Sequence, residues 1–125
     1  MDMYAAALLD TGMREMDIED LSCEIYRLKL KRGRLQAGQA IALLRELAPH
    51  AAQARFWGPQ EPGDTASIQE ITTASGGVLY SVDLGVFDLE DELTPAQDYL
   101  TAALENDATF TMNDGGEFLL DLTRR

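Results

Sequence analysis

The residues best suited to chemistry in this chain are its carboxylates. The densest run is Asp88-Leu89-Glu90-Asp91-Glu92, four acids in five positions. Carboxylate oxygens hold calcium, but a calcium loop needs ligands at alternate positions, a central glycine and a closing glutamate. That spacing is missing, so the run reads as an acidic loop complementing the dipole of a following helix. Paired carboxylates also hydrolyse glycosides when they stand about 5–9 Å apart. With 22 acidic residues the sequence picks out no pair, and a small carboxylate-based enzyme is the minor alternative.

Two other reactive types occur once each. His50 follows Pro49 among alanines, and no nucleophile or orienting acid is set beside it to make it a general base. Cys23 lies next to Ile18, Leu21 and Ile25 and is expected to be a small buried hydrophobe. Its neighbours Asp20 and Glu24 oppose a thiolate. One cysteine excludes an intramolecular disulfide and suits a reducing compartment, so a cytoplasmic location is expected. One histidine excludes most zinc sites built on histidine. Asn113-Asp114-Gly115-Gly116 reads as a turn rather than a phosphate cradle. No catalytic residue, metal or cofactor is assigned. Trp57, the single tryptophan, either caps the core or is exposed as an anchor for a partner.

The charge is distributed unevenly. Acidic residues outnumber basic ones by 22 to 10, a formal charge of −12. Residues 1–55 balance eight basic groups against eight acidic ones, whereas residues 56–125 hold 14 acids and only Arg124 and Arg125. Such an asymmetry bears on association rather than fold. The basic cluster Arg27, Lys29, Lys31, Arg32 and Arg34 could touch nucleic acid. The acidic remainder would repel phosphate, so direct nucleic-acid binding is not expected. No apolar run approaches the ~18–20 residues of a membrane span, and no secretory leader is expected.

The elements that must position these groups follow from periodicity. Tyr4 to Leu9 reads as a short helix ending at Asp10-Thr11-Gly12. Asp17 is a plausible N-cap for a second helix, with Ile18, Leu21, Ile25 and Leu28 at helical spacing and Gly33 as its stop. Tyr26 to Lys31 also alternates like a strand, but the stripe begins well upstream and favours helix. Gln36 to Leu47 reads as a further helix, ended by Pro49 and resumed over Ala51 to Phe56. Gly58 to Gly63 is the join. Beyond it, Ile68 to Thr73 and the alternating Val78 to Phe87 form a hairpin around Ser75-Gly76-Gly77. Thr94-Pro95-Ala96-Gln97 starts a helix with Thr94 as N-cap and Tyr99, Leu100, Ala103 and Leu104 on its apolar face. A second hairpin pairs Phe110 and Met112 with Phe118, Leu120 and Leu122.

The expected fold is therefore α+β, one domain over residues 1–125. Two or three N-terminal helices in 1–57 would lead through the 58–63 loop to an antiparallel sheet of about four strands in 64–125. One further helix would sit between the hairpins. Fourteen carboxylates without an internal cation exceed the net charge of about two to eight that solubility requires. The expected function is a non-enzymatic inhibitor that docks this acidic part on the basic surface of a partner. Anti-CRISPR and anti-restriction nucleic-acid mimics, or an immunity protein for a basic toxin, would work in this way. The likeness is one of charge and size, with no shared motif. A secretion or assembly chaperone, or a structural interaction protein, is the alternative. The expected footprint is Asp83, Asp88, Glu90, Asp91, Glu92, Asp98, Glu105, Asp114, Glu117 and Asp121, with Trp57 as the apolar anchor. Unpaired sheet edges would also permit a homodimer.

Overall fold

The structure, a computed structural model, describes residues 11–123, with side chains from Asp20 onward. The helix expected at Tyr4 to Leu9 lies outside the described residues. The chain opens with helix α1, Thr11–Leu47, followed by strands β1, Ala51–Trp57, β2, Ser67–Thr73, and β3, Val78–Ser81. A short 3-10 turn, Glu90–Glu92, leads into helix α2, Thr94–Glu105, and the chain closes with β4, Thr111–Met112, and β5, Phe118–Asp121. The five strands form one sheet in the order β3-β2-β1-β5-β4, with every pair antiparallel. The class is α+β. No helix among the described residues is long and apolar enough to cross a membrane.

The separate N-terminal helices are one helix of 37 residues, about 55 Å long at 1.5 Å per residue. Neither Asp17 nor Gly33 interrupts it, and Tyr26 to Lys31 is helical. Gly33 is there for a different reason. A Cβ at this position would stand 2.8 Å from the Asn106 carbonyl oxygen and 3.2 Å from that of Ala103. The glycine lets α1 and α2 approach closely, and the packing offsets its weak helix propensity. Asn106 Nδ2 donates to Gln36 Oε1 at 2.8 Å, and Lys29 pairs with Asp107 at 3.4 Å, across the same contact.

The second correction concerns Ala51 to Phe56, which is strand rather than resumed helix. Pro49 and His50 turn the chain, and β1 becomes the central strand, paired with β2 on one side and β5 on the other. The helical part thus ends before residue 51, and the sheet has five strands rather than four. Ala54 and Phe56 face the helices, in register with Ile71, Leu120, Ile68 and Phe118. All but Phe118 join Ala40, Leu44, Leu93, Ala96 and Leu100 in one buried cluster, against which the partly buried Phe118 packs. Phe56 carries it, with Phe110 and Phe118 ring centroids each 5.2 Å away.

Smaller differences follow from packing. The Val78 strand stops at Ser81, because Gly85 (φ 70°) turns the chain back and Ser81 bridges Val86. Leu84 and Phe87 are exposed, as is Met112, which does not share the buried side of Phe110. Thr94 is the first residue of α2 rather than its cap, and no side chain caps that end. Cys23 is exposed, not buried, because no other described element covers α1 from Asp20 to Leu28.

Candidate functional site

With both helices on one side, the sheet presents its other face to solvent. The alternation of β1 puts Gln53, Arg55 and Trp57 there. Register brings Glu70 and Thr72 beside them from β2, and Leu119 and Asp121 from β5. Arg55 is the only cation in a strand among the described residues, and two acids hold it. Its Nη2 lies 3.1 Å from Glu70 Oε1, its Nε donates to the same oxygen at 3.3 Å, and its Nη1 donates to Glu117 Oε1. Burial works against the charge on Arg55. The hydrogen bonds and negative charges of Glu117 and Glu70 outweigh it and hold the guanidinium above its ordinary value. Glu117 also receives Asn113 Nδ2 at 3.2 Å and is only 13% exposed.

These contacts sort the expected acidic footprint into three groups. Glu117 is committed to Arg55 and drops out as a free charge. Asp121 is exposed and accepts from the Thr123 backbone N–H at 2.9 Å and its hydroxyl at 2.5 Å, while Asp114 sits on the β4–β5 turn. Asp83 is not on a strand face as expected, but in the exposed turn after β3. The remaining six residues are exposed on the approach to α2 and along it. Asp88, Glu90, Asp91 and Glu92 are all exposed at the approach to α2. Asp98 and Glu105, seven positions apart, share the solvent face of that helix. No lysine or arginine occurs between Phe56 and Thr123 to interrupt them. Glu90 also acts inward. Its charge adds to burial in raising the Tyr80 hydroxyl above its ordinary value.

Trp57 neither caps the core nor stands free. Phe56 holds the core position, and Trp57 lies half-buried on the open face close to Gly116. It walls a cleft of about 430 Å³ with Gln60, Asp64, Ser67 and Gln69. A larger hollow of about 730 Å³ at the opposite end of β1 holds Arg45 and the exposed His50. Arg45 Nε donates to the Leu122 carbonyl at 2.6 Å, which ties α1 to the C-terminal strand. In the first cleft Ser67 Oγ accepts from Gln69 Nε2 at 2.8 Å. Among the described residues no three His, Cys, Asp or Glu side chains are grouped to hold a metal.

Sequence reasoning missed Arg55 and Glu70. The signal was present: a single cation in the period-two stretch Ala51 to Trp57, with an acid at the matching place in the next strand. It becomes readable only once that stretch is taken as a strand. Comparison with protein families, with curated proteins and with solved structures finds no match.

Proposed function

We propose that this protein is a non-enzymatic binding protein that docks an acidic ridge on the cationic surface of a partner and blocks nucleic acid from it. The observation that carries the reading is the exposed series Asp88, Glu90, Asp91, Glu92, Asp98 and Glu105, with no lysine or arginine among them in the sequence. The 3-10 turn and α2 together run for a contour of about 24 Å at their ordinary rises. Along it Glu90, Asp91 and Glu92 are crowded within about 6 Å, and Asp98 and Glu105 follow at intervals of about 10 Å, so the ridge is a dense acidic cluster continued by two further charges. A basic groove shaped for phosphates would attract such a ridge and speed encounter with it. The open face of the sheet is a poorer candidate, since Arg55 neutralises part of its charge.

The test is capture of partners from a lysate on immobilised protein at low and high salt, then competition with duplex DNA or RNA. The expected partner is a basic nucleic-acid-binding protein, released between about 50 and 200 mM salt and displaced by nucleic acid. Replacing Asp88, Glu90, Asp91 and Glu92 with their amides should slow association with that partner at least about tenfold at low salt. A partner that resists salt and binds the amide variant at an unchanged rate would overturn the reading.

A further inference from the structure

The first half of α1 carries an apolar stripe that the other described residues leave uncovered. Leu21, Ile25, Leu28 and Leu35 are between 55% and 64% exposed. Their spacing is that of positions a and d of a heptad. In the sequence, Ile18 and Ile25 take a, Leu21, Leu28 and Leu35 take d, and Arg32 fills the remaining a. We propose that this stripe pairs with the same stripe on a second copy of the chain, joining two α1 helices as a short two-stranded coiled coil.

Four observations select a helix of another copy as the occupant. First, the stripe is narrow. At about 100° per residue its four exposed members span about 80° of the helix, less than the ≳ 100° face that packs on a globular core. It matches the seam of a coiled coil. Second, isoleucine at a with leucine at d is the combination that favours two strands. Third, the buried line of α1 toward its own body runs through Gly33, Ala40 and Leu44. The apolar stripe lies roughly 120° around the helix from that line. A copy approaching the stripe therefore meets helix and not the body, as a self-complementary two-fold contact requires.

The fourth observation is charge. Glu24 flanks the seam at a g position, Lys29 at e and Lys31 at g. Glu24 and Lys29 already form exposed bridges within the chain, to Arg27 at 3.2 Å and Asp107 at 3.4 Å, and would share them: a parallel pair sets Glu24 against the partner's Lys29, and an antiparallel pair sets it against the partner's Lys31. Both orientations bring opposite charges together on each side of the seam. The seam also has ends. Beyond Leu35 the next a and d positions are Gln39, Ala42 and Glu46, where pairing stops. Two and a half heptads with one arginine at a make a weak pair, and the affinity belongs in the micromolar range. Because this contact uses none of the ridge's carboxylates, it stands independently of the proposed function.

Sedimentation equilibrium tests it on the full chain, with Cys23 kept reduced so that no disulfide imitates a dimer. The mass should rise from 13.8 kDa toward twice that value over about 1–300 μM and change little with salt. Ile25→Asp and Leu28→Asp should each weaken association more than tenfold. Because both positions are exposed, thermal midpoints measured at low concentration should stay where they are. Glu24→Lys should weaken it less, and Leu84→Ser, an exposed apolar residue elsewhere, should leave it intact. A chain that stays monomeric throughout, or a dimer that survives Ile25→Asp, overturns the proposal. Binding of the monomer to anionic phospholipid vesicles would then assign the stripe to lipid. A dimer lost on Met112→Lys but not on Ile25→Asp would assign the contact to the β4 edge of the sheet.

Discussion

Replacing Arg55 with methionine should destabilise the protein by about 2–3 kcal/mol. Methionine keeps much of the length and apolar stem of arginine, so the change removes mainly the charge and its hydrogen bonds. Exposed ion pairs contribute about 0–1 kcal/mol, and breaking a buried one costs about 3–5 kcal/mol. Here the three side chains are 24%, 22% and 13% exposed, which places the clamp between those limits. The loss is enlarged because Glu70 and Glu117 are left facing one another. For 125 residues the unfolding entropy of about 2.1 cal/mol/K per residue turns each kcal/mol into about 4 °C. The midpoint should therefore fall by about 8–12 °C. The sign with pH is also fixed. A cation held above its ordinary value contributes stability that is present below its unfolded value and lost only as pH rises through the folded one. The gap between wild type and Arg55→Met should stay constant from about pH 6 to 10. Adding Glu70→Gln and Glu117→Gln to Arg55→Met should recover more than half of the loss, since no unpaired charge remains. Urea and thermal melts of the three chains measure all of this. A drop below about 4 °C, or a triple variant no better than the single one, would refute the reasoning.

Two glycines of α1 should respond with opposite signs. Gly33→Ala must push α2 away from its carbonyl contacts at 2.8 and 3.2 Å, costing about 1–3 kcal/mol by denaturant melt. Gly38→Ala meets nothing within 4 Å and should stabilise the protein by up to about 1 kcal/mol through helix propensity. Tyr80 is held neutral by burial and by the charge of Glu90, above its ordinary value of 10.0. The stability this represents is complete below pH 10.0 and lost as pH rises through the raised value. Absorbance titration of the phenol should therefore show one tyrosine ionising late, and Tyr80→Phe should remove that step.

How far the sequence revealed the fold depended on whether the signal was local. The two hairpin turns carry glycine where positive φ is needed, at Gly76 and Gly116, and both were legible. So was α2, because Pro95 and a clean apolar face announce it. β1 was not, because its character is set by its neighbours. Ala51, Ala52 and Ala54 have little strand preference of their own, and the segment is the central strand because β2 and β5 hydrogen-bond to both its edges. Gly33 misled for a related reason. A glycine that ends a helix and one that admits a neighbouring helix look the same until α2 is in place.

The same limit governs the candidate surfaces. Counting charges showed that residues 56–125 were strongly acidic but not which acids act together. Glu117 looked equivalent to Glu105 in the sequence, yet Arg55 holds the first and nothing cationic in the fold's second half faces the second. In α1 the confusion ran the other way. The spacing of Leu21, Ile25 and Leu28 reads equally as a core face or a seam, and a buried Cys23 was inferred from the first reading. What separates the two is whether the protein's own body reaches that far along the helix. A helix about 55 Å long against a body about 30 Å across leaves much of its length without a partner inside the same chain. The stripe keeps heptad spacing over that outlying part and on to Leu35, where α2 already packs at Gly33 roughly a third of a turn away, and loses it from Gln39 onward. A pattern that stays on the side turned away from α2 and stops where the helix meets the sheet is the one the proposed pairing with another copy would require.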